Sequence, residues 1–234
     1  MAGNDQQEGY SALVIGASGG IGASLAAALD ADPACRTAVR LSRSGNGLDL
    51  SNEQSVAACA ERLDGDGECF DLIVNASGVL EIDGVPPEKA FRSIDADTML
   101  RAFAVNSVGS AMALKYFLPL MARKSRSVFA TLSARVGSIS DNRLGGWVSY
   151  RASKAALNQI VRCAAIEFAR VNPESVVVAL HPGTIDTPLT EKYAGGRFTA
   201  TREEAAANLL RVLAGLRAEQ SGGFFDYAGD EIEW

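Results

Sequence analysis

The stretch Ser11–Gly22 reads SALVIGASGGIG and joins an apolar run to a glycine-rich turn. Its first half predicts a buried strand, and Gly20–Asp30, with Ala and Leu at helical spacing, predicts a helix. Glycines between a strand and a helix let the backbone approach a phosphate, and the helix N-terminus favours negative charge. The GxxxGxG spacing of Gly16, Gly20 and Gly22 therefore predicts a dinucleotide-binding turn. The alternative is a flexible connection that binds nothing.

Short apolar runs and longer Ala-rich segments alternate along the rest of the chain. We predict further strands at Arg36–Ser42, Leu48–Leu50, Phe70–Asn75, Ser127–Ser133, Ser175–Leu180 and Phe224–Tyr227. The further predicted helices run from Ser51, as capping residue, to about Leu63, over Asp97–Lys124 and Trp147–Val171, and from Thr201 to about Leu216. This alternation predicts an α/β protein with a three-layer, doubly wound parallel sheet, the Rossmann fold. We expect one domain over residues 11–234 after a polar tail at residues 1–10.

Composition narrows the class of protein. The net charge is −6, with no cluster of basic residues, so a nucleic-acid partner is not expected. Four cysteines without a CxxC pair and a single histidine, His181, disfavour a metal site. The polar, acidic start lacks the pattern of a signal peptide, and no apolar stretch is long enough to span a bilayer. We expect a cytoplasmic protein without a membrane partner.

The end of the second predicted strand bears on the choice of cofactor. An acidic residue there would bind the ribose 2′-hydroxyl of NAD, whereas this chain has Ser42, Arg43 and Ser44. A guanidinium and two hydroxyls suit a 2′-phosphate, so the sequence favours NADP(H) over NAD(H). The alternative for Arg43 is a solvated loop cation. Asp49, next to Leu50, is a candidate acceptor for the adenine amino group or else an ordinary loop residue.

A second group of residues includes candidates for proton transfer. Tyr150 and Lys154 lie one turn apart on a predicted helix, a spacing that many helices contain by chance. Ser133, however, ends the preceding strand, which would place it beside the cofactor. The reference pKa of tyrosine is about 10, and a cation one turn away favours the phenolate. Tyr150 is therefore a candidate acid/base, and Ser133 a candidate ligand for the substrate oxygen.

Taken together, these motifs resemble the short-chain dehydrogenase/reductase family. The match rests on GASGGIG, on NASG at residues 75–78, on Asn106 and Ser133, on the Tyr150-x-x-x-Lys154 pair and on HPGTxxT at residues 181–187. It spans nearly the whole chain from Leu13. The pattern GGWxSYRASK at residues 145–154 and the aromatic, acidic C-terminal segment are most similar to the C-factor-like and sniffer-like carbonyl reductase branch.

The resemblance implies a catalytic tetrad of Asn106, Ser133, Tyr150 and Lys154, in which Asn106 holds a water and Lys154 binds the nicotinamide ribose. It implies an oxidoreductase that transfers a hydride between the cofactor and a small-molecule carbonyl or alcohol. It also implies a homo-oligomer, a dimer or tetramer. The expected cofactor-binding residues, besides Tyr150 and Lys154, are Gly16, Ser18, Gly19, Gly20, Ile21, Gly22, Ser42, Arg43, Ser44, Asp49, Leu50, Asn75, Ala76, Ser77, Gly78, Pro182, Gly183, Thr184, Ile185 and Thr187.

Two departures from the family pattern affect the nucleotide pocket. Ile15 precedes Gly16 where a threonine is usual, and the usual Asn-Asn-Ala-Gly motif reads Asn-Ala-Ser-Gly at residues 75–78, so its second side-chain amide is lost. Around the site, Arg135 and Arg143 are interpreted as solvated loop cations, with an acidic substrate as the alternative. The segment Pro188–Thr199, with Gly195 and Gly196, is a candidate lid. A dinucleotide-binding signalling or regulatory protein with little turnover remains the alternative function.

Overall fold

The sheet has six parallel strands in the order β2-β1-β3-β4-β5-β6. The structure is a computed structural model that describes residues 9–123 and 125–234. Its strands are β1 Tyr10–Ile15, β2 Cys35–Leu41, β3 Leu72–Asn75, β4 Ser127–Leu132, β5 Ser175–His181 and β6 Phe224–Asp226. Its α-helices are α1 Gly20–Ala31, α2 Arg43–Asn46, α3 Glu53–Gly65, α4 Ala96–Phe103, α5 Gly109–Phe117, α6 Val148–Phe168 and α7 Arg202–Gly215. Strand order reverses between β1 and β3, and a parallel sheet binds ligands at the carboxyl ends beside such a reversal.

Both faces of the sheet are covered by helices. Along β1, Leu13 and Ile15 pack into one apolar cluster with α3, α5 and α6. The alternate residues Ala12 and Val14 pack into the other cluster with α1 and α7. This two-sided burial explains why the strands are continuously apolar. The predicted three-layer Rossmann fold is confirmed.

The segment between β2 and α3 differs from the prediction. Leu48–Leu50 forms no strand, because Asp49 folds into a turn in which its Oδ1 accepts from the amide and the hydroxyl of Ser51, at 2.9 and 2.6 Å. Ser51 therefore does not cap α3. Asn52 does so instead, and its Oδ1 accepts from the amides of Gln54 and Ser55 at 3.0 and 3.4 Å.

The long helix predicted over Asp97–Lys124 is interrupted. A π-helical turn, Ala104–Val108, separates α4 from α5, and a 3-10 turn around Pro119 follows α5. Lys124 lies outside the described residues, as do residues 1–8 of the expected tail; Tyr10 already belongs to β1. None of the described helices combines the length and apolar character needed to cross a membrane.

The packing of α1 against the glycine turn gives a testable prediction. A Cβ atom on Gly22 would lie 2.2 Å from the carbonyl oxygen of Gly16, so Gly22→Ala must displace the helix from the turn. We expect a loss of about 1–3 kcal/mol in the free energy of unfolding, as for other overpacked sites. Urea denaturation measures it.

Gly65→Ala is the matched control. Gly65 ends α3, and a Cβ there meets nothing within 4 Å, so this substitution should leave stability unchanged or slightly increased. Equal unfolding free energies for the two variants would contradict the proposed contact.

Candidate active site

The turn after β1 presents a free helix N-terminus. Gly16 has φ +81°, a conformation that favours glycine, and its amide donates to the Leu41 carbonyl at 2.8 Å. Gly19 caps α1 without a side-chain hydrogen bond, and the first turn of α1 carries no acidic residue. The unpaired backbone amides at the N-terminus of α1 and the helix dipole therefore suit an anionic group such as a pyrophosphate.

The loop after β3 closes one side of the site. Asn75 is fully buried, its Oδ1 accepts from the Ser77 amide at 3.1 Å, and its Nδ2 donates to Ser110 Oγ at 3.4 Å. Asn75 thus supports the loop from below, whereas Ala76, Ser77 and Gly78 face the cleft.

The π-helical turn positions Asn106 between this loop and α6. The Asn106 side chain exchanges two hydrogen bonds with the backbone of Val79, both 2.9 Å, and donates to Ser153 Oγ at 3.1 Å. Ser153 in turn donates to the carbonyl of Tyr150 at 2.8 Å. Asn106 therefore fixes the first turns of α6, which carry Tyr150 and Lys154.

Tyr150 and Lys154 are both buried at the floor of the cleft. The Lys154 ammonium lies 5.9 Å from the centre of the Tyr150 ring and donates to the Leu132 carbonyl at 3.0 Å. Burial lowers the pKa of Lys154 to about 8. It also raises the pKa of Tyr150 above its usual value, a change opposite to the lowering that the neighbouring cation is expected to cause. At neutral pH the phenol is therefore protonated and able to donate.

Ser133 follows β4 and is held on the same floor. Its amide donates to the Leu180 carbonyl at 2.7 Å, and its Oγ donates to Asn158 Oδ1 at 2.6 Å. Asn158 was not predicted as a site residue. Its position one turn beyond Lys154 on α6 was the available signal, because residues four apart share a helix face.

One cleft of about 1050 Å³ unites these parts. The predicted site residues that line it are Ser18, Gly19, Gly20, Ile21, Ala76, Ser77, Gly78, Ser133, Tyr150, Lys154, Pro182, Gly183, Thr184, Ile185 and Thr187. Buried behind the wall are Gly22, Asn75 and Asn106. Within the described chain, no three His, Cys, Asp or Glu side chains gather as a metal site.

The residues predicted to select NADP lie outside the lining of this cleft, around the end of β2. Ser42 Oγ caps α2 by accepting from the Gly45 amide at 3.0 Å. Arg43 and Ser44 are exposed, and Leu50 is buried. Hydrogen bonds from Ser51 lower the pKa of Asp49.

His181 has a buried ring nitrogen, whereas Arg135 is paired with acidic side chains. His181 Nδ1 is buried without a hydrogen-bond partner among the described residues, and burial, with the charge of Arg135, lowers its pKa to about 4. The imidazole is therefore neutral at neutral pH. Arg135 pairs with Asp226 at 2.9 Å and lies 3.8 Å from Asp141, so its charge is balanced.

The candidate lid closes over the cleft through contacts that were not predicted. Glu81, beyond β3, accepts from Lys192 Nζ at 3.0 Å and from the Tyr193 hydroxyl at 2.6 Å. The Tyr193 ring meets Trp147 edge-on at 5.5 Å, and Trp147 meets Tyr150 in the same manner at 6.4 Å. Glu81 thus fastens the lid to the loop after β3, and aromatic rings line the space above Tyr150.

Comparison with known proteins agrees with this geometry. The family model described as enoyl-(acyl carrier protein) reductase matches residues 16–216. A 1-hydroxy-2-glutathionyl-2-methyl-3-butene dehydrogenase of Rhodococcus sp. (strain AD45) is 33% identical over 190 residues, covering 80% of this chain and 79% of that protein. The chain belongs to the short-chain dehydrogenase/reductase family. It is therefore an oxidoreductase of that family, with a nicotinamide dinucleotide as cofactor.

Two further proteins are similar to this chain. C-signal of Myxococcus xanthus is 34% identical over 165 residues, covering 70% of this chain and 92% of that protein. The structure of the carbonyl reductase Sniffer of D. melanogaster superposes with a TM-score of 0.83 at 21% identity, covering 97% of this chain and all of the other. The latter likeness establishes the fold alone.

The hydrogen bonds that Glu81 accepts from Lys192 and Tyr193 predict a change in proteolysis of the lid. Glu81→Ala should free Lys192 and Tyr193, so trypsin should cleave after Lys192 or Arg197 about five to ten times faster. Mass spectrometry of timed digests measures this rate.

Glu191→Ala is the control, because Glu191 is an exposed acid of the same lid. Cleavage at the wild-type rate in both variants would show that Glu81 does not hold the lid.

Proposed function

We propose that this enzyme transfers a hydride between NADP(H) and a small-molecule carbonyl or alcohol, with Tyr150 as the acid/base. The observation that carries this proposal is the burial of Ser133, Tyr150 and Lys154 on one cleft floor beside the glycine turn. A structural core gains nothing from a buried ammonium that has no carboxylate partner among the described residues, whereas perturbed pKa values of this kind mark functional sites.

The residues present fit a nicotinamide dinucleotide. The free N-terminus of α1 suits its pyrophosphate, and the absence of a side chain at Gly78 leaves the backbone close to Lys154, since a Cβ there would lie 3.1 Å from Nζ. Lys154 and Tyr150 would hold the ribose beside the ring. When bound, the nicotinamide ring supplies or accepts the hydride.

In carbonyl reduction, Tyr150 donates its proton to the substrate oxygen. Burial keeps the phenol protonated before the reaction, and the Lys154 ammonium stabilises the phenolate that remains. Ser133 turns its hydroxyl from Asn158 to the same oxygen and orients it. In alcohol oxidation each proton moves in the opposite direction.

NADP is proposed over NAD because no acidic side chain follows β2 directly. Arg43 is exposed and forms no side-chain hydrogen bond or ion pair among the described residues; its charge acts on nearby Asp49, and its guanidinium can turn to a 2′-phosphate. Ser44 offers a hydroxyl beside it, while Ser42 is occupied in capping α2. Asp49 and Leu50 would lie toward the adenine.

We also propose that the enzyme is a cytoplasmic homo-oligomer. Leu100, Val108 and Ile166 are large apolar side chains exposed on the helices around Asn106 and Tyr150, which supports association through these helices. A light-scattering measurement of mass tests this association.

The likeness to C-signal favours a second candidate, a dinucleotide-binding signalling protein with little turnover. Binding alone does not require the buried Ser133, Tyr150 and Lys154. Tight NADPH binding without NADPH oxidation on a broad panel of aldehydes and ketones would favour the second candidate.

Tyr150→Phe should lower turnover on that panel by about a hundredfold to ten-thousandfold, the usual contribution of a general acid, while NADPH affinity stays near wild type. Initial rates and NADPH fluorescence titration measure the two quantities. Tyr227→Phe, which changes a tyrosine outside the cleft, should keep full activity. Full activity of Tyr150→Phe itself would exclude the proposed role.

Arg43→Asp should weaken NADPH binding about ten- to a hundredfold, since a charge-assisted contact to the 2′-phosphate is replaced by repulsion. NADH binding should be unchanged or tighter. Arg170→Asp, an equal change of charge beyond the end of α6, is the control. Unchanged NADPH affinity in Arg43→Asp would contradict the proposed selection of NADP.

A further inference from the structure

Some of the charged side chains that line the cleft have partners within the structure, and others have none among the described residues. The two acids are paired: Glu81 with Lys192 and Tyr193, and Asp141 with Arg135. Among the bases, Arg135 is balanced by Asp226. The cleft therefore carries more positive than negative charge, in a chain whose net charge is −6.

Two further bases are held by backbone carbonyls. Lys154 donates to Leu132, and Arg151 donates through Nε to the carbonyls of Gly145 and Gly146 at 3.2 and 3.0 Å. Arg151 lines the cleft, and these contacts fix the loop before α6.

Arg143 is the cation that this loop presents. Its side chain is exposed, lines the cleft and has no hydrogen-bond or ion-pair partner among the described residues. The loop is fixed on both sides of it, because Asn142 Oδ1 accepts from the Gly145 amide at 3.0 Å and Arg151 holds the turn that follows. Arg197 is also unpaired within the described chain, but it lies in the lid that follows Thr187.

The position of Arg143 assigns it to the substrate side. Its loop connects β4, which leads to Ser133, with α6, which begins two residues before Tyr150. The neighbouring Leu144 also lines the cleft and is 91% exposed. A free guanidinium beside an exposed apolar side chain suits a ligand that has an apolar body and an anionic group, since the planar fork of arginine matches a carboxylate.

We infer that the cleft takes a carbonyl or alcohol substrate that carries a carboxylate, and that Arg143 binds this carboxylate. The inference rests on the proposed function for the identity of the reacting group, but the anion subsite can be measured without turnover.

The test compares 4-carboxybenzaldehyde with its methyl ester, which keeps the ring and the aldehyde but removes the charge. The wild type should prefer the carboxylate by about tenfold in kcat/KM, the effect of a charged hydrogen bond. Arg143→Gln should bring this ratio close to one through KM, with unchanged NADPH affinity. Added salt should lower the wild-type preference, because salt screens exposed charges.

Arg170→Gln is the control, since it removes an exposed arginine outside the cleft and should keep the wild-type ratio. An unchanged ratio in Arg143→Gln would overturn the inference.

Binding of the two compounds to the protein–NADPH complex, followed by NADPH fluorescence, separates this inference from the proposed reaction. A preference for the carboxylate that Arg143→Gln abolishes supports the subsite even if neither compound is reduced, in which case the proposed reaction fails alone. Equal binding of both compounds, or binding of neither, contradicts the subsite.

Discussion

The buried ammonium of Lys154 is the constraint on which the site depends. Moving an ammonium from water into a protein interior costs free energy unless hydrogen bonds or charges compensate it. Lys154 has the Leu132 carbonyl as a hydrogen-bond acceptor and the Tyr150 ring nearby, and its pKa is lowered to about 8 by burial. The same burial raises the pKa of Tyr150. A phenol that is protonated at neutral pH and an ammonium that favours its phenolate therefore lie side by side.

The fold accommodates this pair through two glycines and one distorted helix. A Cβ on Gly137 would lie 2.8 Å from Lys154 Cβ, so that site needs a bare backbone, and one on Gly78 would lie 3.1 Å from Nζ, a tight contact. The π-helical turn at Asn106 then connects the Gly78 loop to α6 through Val79 and Ser153. The loop after β3 and the helix that carries the acid/base pair are thereby held together.

Regular features were predictable from the sequence because they follow from periodicity. The continuous apolar strands, the Thr201–Glu204 capping box of α7 and the glycine turn are local patterns, and the structure has all three. Contacts between distant segments leave no local pattern. The fastening of Tyr193 by Glu81 joins residues 112 positions apart, and the hydrogen bond from Ser133 to Asn158 joins residues 25 apart. Competition between side chains also determined which residue caps α3. Ser51 donates to Asp49, and Asn52 caps the helix instead.

The coupling between Lys154 and Tyr150 can be measured directly by titrating Tyr150 in the NADP⁺ complex. Tyrosine labelled with ¹³C at Cζ reports the phenol by NMR, and Tyr150→Phe assigns the signal. We expect Lys154→Met to raise the pKa of Tyr150 relative to wild type, because the cation that favours the phenolate is removed. Lys154→Arg, which keeps the charge, should restore most of the difference. An identical pKa of Tyr150 in the wild type and in Lys154→Met would contradict the central role assigned to this pair.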